Sequence, residues 1–97
     1  MTDIANVRRG IDAVDRELLG LFVKRLSLVD EVAAYKREHG APIQDTARED
    51  EILAWAEREA GPQFASAAKD FFSAVISVSK ARQRAILGEG GGQGVSA

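Results

Sequence analysis

An arginine interrupts the apolar face of the first predicted helix. Alternating steps of three and four residues from Ile4 reach a series of apolar positions, and among them only Arg25 is charged. A guanidinium is very costly to bury without a partner, so we expect an anionic group to meet it. The spacing alone leaves three explanations open: an ion pair with Asp15, Asp30 or Glu31, extension of the side chain to solvent, or a bound anion.

Two further cations lie on the same predicted helix. Lys36 follows Arg25 by three helical turns, so the two share nearly one azimuth and lie about 16 Å apart. Arg8 lies about 25 Å from Arg25 along the axis, too far for one chain to bring both to a small ligand. An antiparallel second copy could place its Arg8 beside Arg25, with a dianion between the guanidiniums. Taken singly, Arg8 and Lys36 are typical of solvated surface residues.

Polar residues also stand out in the other two predicted helices. Ser79 and Gln83 continue an apolar row where apolar side chains would pack better, and Arg48 and Glu49 lie in the first turn of the second helix. Each also has a structural explanation. Ser79 could bond to its own helix, Gln83 could be an interfacial amide, and Arg48 and Glu49 could belong to a helix cap.

Glycines and prolines divide the chain into helical segments. Pro42 and Pro62 each follow a glycine by one or two residues, which is how helices commonly end. No run of β-branched residues alternates with period two, so we expect no strands. The fold class is predicted to be all-α, with one helical domain over residues 1–87 and a disordered glycine-rich tail over residues 88–97. The predicted helical segments are residues 3–39, 44–60 and 62–87.

Capping residues predict where these helices begin. Asp3 or Thr2 would cap the first helix, and Thr46 opens a capping-box pattern for the second, with Asp45 as another cap oxygen. Pro62 would occupy the first turn of the third helix, where its missing N–H costs nothing.

The first helix is too long for its own domain. It would extend about 55 Å, whereas a compact chain of this size has a radius of gyration of about 12 to 13 Å. The other helices cannot cover the whole apolar stripe, although Trp55 and the phenylalanines are expected in the core. We therefore predict an intertwined homodimer of three-helix chains. The stripe consists of Ile4, Val7, Ile11, Val14, Leu18, Leu21, Leu28, Val32 and Tyr35.

Composition excludes several kinds of chemistry. The 97 residues include no cysteine and one histidine, so they cannot supply a thiolate nucleophile, a metal site of Cys or His ligands, or a Ser-His-Asp triad. We expect no metal and no cofactor. The net charge of −2 argues against nucleic acid and membrane as partners. The sequence has no apolar segment typical of a signal peptide or a membrane span, so we expect a cytoplasmic protein.

Several motifs, taken together in chain order, form a recognisable pattern. They are Arg8, IDAVDRELLGLFVKR ending at Arg25, Lys36, APIQDTARED, and Ser79 and Gln83 within SVSKARQ. Their joint spacing, over about residues 4–86, strongly resembles that of the helical class of chorismate mutases. The resemblance implies an intertwined dimer that rearranges chorismate to prephenate in aromatic amino-acid biosynthesis. This unimolecular pericyclic step needs neither a nucleophile nor a metal.

The resemblance also implies how the small dicarboxylate substrate is held. Arg25 and, from the partner subunit, Arg8 would bind its two carboxylates in active sites shared between the copies. Arg48 would help on the same side, and Ser79 would contact a carboxylate.

By the same resemblance, the remaining residues contact the reacting ether and the ring. Lys36 and Gln83 would donate hydrogen bonds to the ether oxygen, while Glu49 and the backbone at Asp45 would hold the ring hydroxyl. The sequence leaves open whether an enzyme of the aromatic pathway binds and activates this chain.

Three other functions remain open at this point. An isochorismate pyruvate lyase or a 4-amino-4-deoxychorismate mutase of the same fold would use a similar cationic pocket, although Glu49 suits the hydroxyl of chorismate. A non-catalytic helical dimerisation module explains the apolar stripe equally well. It leaves Arg25, Ser79 and Gln83 on buried faces unexplained.

Overall fold

The computed structural model describes residues 2–88, and these form three helices: α1 (Ile4–His39), α2 (Thr46–Ala60) and α3 (Ala65–Leu87). There is no strand between residues 2 and 88, and the predicted all-α class is confirmed. The tail predicted for residues 88–97 lies outside the described residues, apart from Gly88. The division into a domain and a tail therefore stays a prediction.

The first helix begins and ends at residues that suit its termini. Asp3, one of the two predicted caps, accepts hydrogen bonds from the N–H groups of Ala5 and Asn6 at 3.1 and 3.3 Å. At the other end Gly40 has φ 64°, a left-handed conformation that glycine adopts without steric cost. The N–H of Ala41 then reaches back to the Lys36 carbonyl at 2.9 Å. The helix between these caps is continuous over 36 residues.

The second helix begins with a different cap from the predicted capping box. Asp45 is the N-cap, and its side chain accepts a hydrogen bond from the Arg48 N–H at 3.1 Å. Thr46 is already the first helical residue, so the capping-box pattern predicted for Thr46 is wrong. The carboxylate of Asp45, one residue earlier, already accepts from the Arg48 N–H, which has no partner within the helix.

The third helix begins later than predicted. Pro62 does not lie in its first turn, because residues 62–64 form a separate turn that the Phe64 N–H closes onto the Gly61 carbonyl at 3.1 Å. The first helical bond runs from the Ala68 N–H to the Phe64 carbonyl at 2.9 Å.

One helix holds the chain together. α3 packs against both α1 and α2, whereas within residues 2–88 no Cα atom of α1 lies within 8 Å of a Cα atom of α2. A gap therefore separates α1 from α2, with α3 at its floor. The core around α3 is small, and its buried apolar residues are Val29, Ala33, Ile43, Ala56, Val75 and Ile76.

The apolar stripe of α1 remains uncovered in the single chain. All nine apolar residues of the stripe are between 42% and 64% exposed. The expectation of a buried Trp55, Phe64 and Phe71 is likewise wrong for one chain, since each is about half exposed. The chain measures 58 Å in its longest dimension, and its radius of gyration is 17.1 Å. A compact chain of this length would have about 12.5 Å. No helix within residues 2–88 is long and apolar enough to span a membrane.

Candidate active site

A cavity of about 470 Å³ lies between α1 and the start of α2. Its floor is a face of α3, where Ser79 and Gln83 are buried. The structure brings all the predicted site residues except Arg8 to this one cavity. The residues that line it are Arg25, Leu28, Val29, Val32, Lys36, Ile43, Asp45, Arg48, Glu49, Ile52, Ile76, Ser79, Lys80 and Gln83.

Arg25 enters the cavity from α1, and its guanidinium pairs with no carboxylate within residues 2–88. Its Nη1 donates a hydrogen bond to Ser79 Oγ, and that hydroxyl donates to the Val75 carbonyl at 2.8 Å, so Ser79 does bond to its own helix. In the part of the chain that the structure describes, no carboxylate lies within ion-pair distance of Arg25. Asp30, one of the three partners considered, instead binds Arg82 at 2.8 Å.

The electrostatic environment of Arg25 is that of an incomplete anion site. Burial lowers the pKa of Arg25 from its ordinary value, and the nearby positive charge of Arg48 lowers it further. A guanidinium stays protonated at neutral pH despite such a shift. The free-energy cost of its burial therefore remains, because no negative charge balances it. An anion between Arg25 and Arg48 would offset that cost.

Lys36 and Gln83 form a fixed donor pair at one end of the cavity. The Lys36 ammonium donates to the Ile43 carbonyl at 2.7 Å and to Gln83 Oε1 at 3.0 Å. An ammonium has three N–H groups and accepts nothing, so one donor remains and the amide oxygen of Gln83 must face the lysine. The NH₂ group of Gln83 is thereby left to donate elsewhere. Lys36 is half-buried, so it is not the fully solvated surface residue that its position in the sequence alone would suggest.

The first turn of α2 supplies a cation and an anion to the opposite wall. The Arg48 side chain is largely exposed and pairs with Glu51 at 3.2 Å, one turn further along the helix. Glu49 is half-buried and pairs with Lys80 of α3. Asp45 both caps α2 and lines the cavity.

Sequence reasoning missed Lys80. A lysine in a helix looks like a surface residue, and its partner Glu49 lies far away in the sequence. A usable signal did exist, because Lys80 directly follows Ser79 and precedes Gln83 by one helical turn, which places it at the edge of the same face.

Arg8 is the one predicted site residue that the single chain does not bring to the cavity. It lies on the exposed first part of α1, about 25 Å along the helix axis from Arg25. Within one chain the cavity therefore lacks the guanidinium that the resemblance assigns to the partner subunit.

The chemistry available in the cavity is the binding of a small anion by fixed donors. Arg25, Lys36 and Arg48 supply positive charge, and the amide of Gln83 and the hydroxyl of Ser79 add neutral polar groups. Apolar residues of α1, α2, α3 and the loop before α2 also line the cavity, which limits water and strengthens these interactions. The site suits a compact polyanion with an apolar body.

Comparison with known proteins identifies the family. The family described as chorismate mutase type II matches residues 7–84. The chain belongs to this family. The match includes every residue predicted for the site, from Arg8 to Gln83, and the predicted resemblance to chorismate mutases is confirmed.

Three curated relatives each match part of this chorismate mutase family member. It is 45% identical over 53 residues to a T-protein of Haemophilus influenzae and 42% identical over 60 residues to a T-protein of Enterobacter agglomerans. The matches cover 55% and 62% of this chain but 14% and 16% of those proteins. A chorismate mutase of Methanocaldococcus jannaschii is 41% identical over 46 residues, which are 47% of this chain and 46% of that protein. No solved structure gives a significant match.

Proposed function

We propose that this chain is a chorismate mutase, which rearranges chorismate to prephenate, and that two copies form a homodimer with shared active sites. The observation that carries this proposal is the convergence of Arg25, Lys36 and Gln83 on one cavity in which no carboxylate of residues 2–88 pairs with Arg25. Chorismate is a small dicarboxylate with a reacting ether oxygen. It would satisfy both the unbalanced guanidinium and the free amide donor.

In this proposal, arginines hold the substrate by its two carboxylates. Arg25 and Ser79 already form one hydrogen-bonded unit at the floor of the cavity, and a carboxylate would span both once the single O–H of Ser79 turned from the Val75 carbonyl to the substrate. Arg48 reaches the same region by turning from its exposed pair with Glu51, a contact worth little at the surface. Two fixed ends hold the flexible side arm of the substrate over its ring, in the geometry needed for reaction.

Lys36 and Gln83 stabilise the transition state. The carbon–oxygen bond of the ether breaks ahead of carbon–carbon bond formation, so negative charge grows on the ether oxygen. The remaining N–H of Lys36 and the NH₂ group of Gln83 would meet that charge, and each preorganised donor of this kind typically lowers a barrier by about 3 to 4 kcal/mol. Because Lys36 is already bound to Ile43 and Gln83, little reorganisation accompanies the reaction.

Glu49 and Asp45 would hold the ring hydroxyl at the wall formed by α2. A carboxylate accepts a hydrogen bond from a hydroxyl, and a backbone N–H can donate one to the same oxygen. This contact favours chorismate as the substrate, since its ring carries a hydroxyl at that position.

A second copy of the chain would complete the site. The exposed apolar stripe of α1 continues into an apolar cavity of about 340 Å³ lined by Leu18, Leu19, Phe22, Phe71 and Val78, among others. A long exposed apolar face of this kind is typical of a surface that another protein chain covers. A twofold, antiparallel arrangement of α1 would cover the stripe and bring Arg8 of the partner subunit beside Arg25.

The test is a comparison of three substrates with purified protein, with Arg25→Ala as the inactive control. Prephenate formed from chorismate supports the proposal. Salicylate and pyruvate from isochorismate would instead assign the chain to the lyase, and turnover of 4-amino-4-deoxychorismate alone would assign it to the corresponding mutase. If none is turned over and chorismate does not raise the melting temperature, the chain is a dimerisation module.

A further inference from the structure

Lys80 forms the most shielded ion pair in the described part of the chain. Its ammonium lies 3.3 Å from each carboxylate oxygen of Glu49, and both side chains are only 20% exposed. The other two ion pairs within residues 2–88, of Arg48 with Glu51 and of Arg82 with Asp30, are between 39% and 69% exposed. The Lys80 pair also lies in the cavity wall rather than on the outer surface.

The contacts of Lys80 hold its ammonium against the carboxylate of Glu49. It donates hydrogen bonds to Gln44 Oε1 at 3.0 Å and to Glu49 Oε1 at 3.3 Å, and Glu49 Oε2 also lies 3.3 Å away. These contacts fix a positive charge beside the carboxylate. Lys80 therefore acts on a bound molecule through its charge and through the carboxylate that it holds.

An unpaired Glu49 would give this wall of the cavity a preference for cations. The carboxylate would attract an ammonium group of the ligand more strongly than a neutral hydroxyl, because charge-assisted hydrogen bonds are about twice as strong as neutral ones. Lys80 reverses that preference, since an ammonium placed against Glu49 also lies close to a like charge. Rejection by a like charge is a common source of specificity.

We propose that Lys80 is a specificity-determining residue, which makes the cavity accept a ring hydroxyl at Glu49 and reject a ring ammonium. The inference rests on the proposed function, in which Glu49 meets the ring substituent of a chorismate-like dicarboxylate. An aliphatic amine is protonated at neutral pH, so the analogue with an amine in place of the hydroxyl carries the charge that Lys80 opposes.

The experiment measures kcat/KM for chorismate and for 4-amino-4-deoxychorismate in the wild-type protein and in Lys80→Met. Methionine keeps the length of the side chain and removes its charge, so the ratio of the two kcat/KM values should move toward the amine by about tenfold or more. Lys80→Arg retains the charge and should keep the ratio within about threefold of wild type. Lys69→Met, on the exposed surface of α3, is the matched control and should change neither value.

A double-mutant cycle separates specificity from a structural effect. In the Glu49→Gln background the carboxylate is gone but the like charge remains, so Lys80→Met should still move the ratio toward the amine. An unchanged ratio in Lys80→Met, or a shift that disappears in the Glu49→Gln background, would overturn the role of the Lys80 charge while the turnover of chorismate still supports the proposed function. If the wild-type protein turns over neither substrate, both proposals are wrong.

Discussion

The two parts of α1 share one apolar spacing but differ in what covers them. In residues 25–39, Val29 and Ala33 are buried against α3, and Arg25 and Lys36 form hydrogen bonds to side chains of that helix. In residues 4–24, every residue is exposed except the half-buried Phe22. An apolar repeat thus indicates that a helix face is covered, but it does not tell whether the same chain or another copy covers it.

The largest effect should come from placing a charge on the exposed stripe. Leu21→Asp would bury a carboxylate in the proposed dimer interface, so we expect dissociation and a free energy of unfolding lower by more than about 2 kcal/mol. Sedimentation and urea unfolding measure both. Val23→Asp, two residues away on the other side of α1 and similarly exposed in one chain, is the control. Equal, small effects of the two substitutions would mean that no partner covers the stripe.

In the other part of α1, the largest effect should fall on activity and not on assembly. Arg25→Ala removes the guanidinium at the cavity floor, and we expect kcat/KM to fall by more than about 100-fold with the dimer intact. The neighbouring exposed lysine gives the control, since Lys24→Ala should leave kcat/KM unchanged. Normal turnover by Arg25→Ala would assign this arginine to structure alone.

A pH profile tests the donor pair at the other end of the cavity. The carboxyl group introduced by Gln83→Glu donates only when protonated, and the adjacent Lys36 favours its ionised form and so lowers its pKa. Activity of Gln83→Glu should therefore be low at neutral pH and rise by about tenfold as the pH falls through that pKa. Gln83→Met lacks a donor at every pH and should show no such rise. A flat profile in Gln83→Glu would contradict the assigned role.

The smallest change in activity is expected from mixed dimers, in which Arg8 of one subunit and Arg25 of the other complete a single site. Arg8→Ala and Arg25→Ala should each be inactive alone, but a mixed dimer contains one site with both arginines. With equal amounts and full exchange, about a quarter of wild-type activity should return, because half of the dimers are mixed and each has one intact site. Differently tagged subunits report the exchange. Complete exchange without recovery would show that the sites are not shared.

Local sequence signals predicted the helices well but their starts less well. Gly40 and Pro42 located the end of α1, because a left-handed glycine and a following proline stop a helix wherever they occur. The start of α3 was misplaced, since the turn that precedes it depends on a backbone hydrogen bond between Phe64 and Gly61. Pro62 fits such a turn as readily as a first helical turn, so a proline at this position does not tell where α3 begins.

The candidate site was predictable where a polar residue broke an apolar pattern. Arg25, Ser79 and Gln83 were found in that way, and the structure brings them to one cavity. Lys80 breaks no pattern, because its significance lies in a pair with Glu49 that only the packing of α2 on α3 creates. Spacing along one helix carries no information about such a pair.

The gap between α1 and α2 makes the folding stability of the protein depend on its ligand. Since the backbones of α1 and α2 lie close only to α3 within residues 2–88, a molecule held by Arg25 on one side and Glu49 on the other would add packing between them. Ligand that binds only the folded form multiplies the ratio of folded to unfolded protein by one plus the ratio of the free ligand concentration to Kd. Substrate at high concentration would therefore protect the protein from unfolding and proteolysis. At low substrate concentration this protection would be lost.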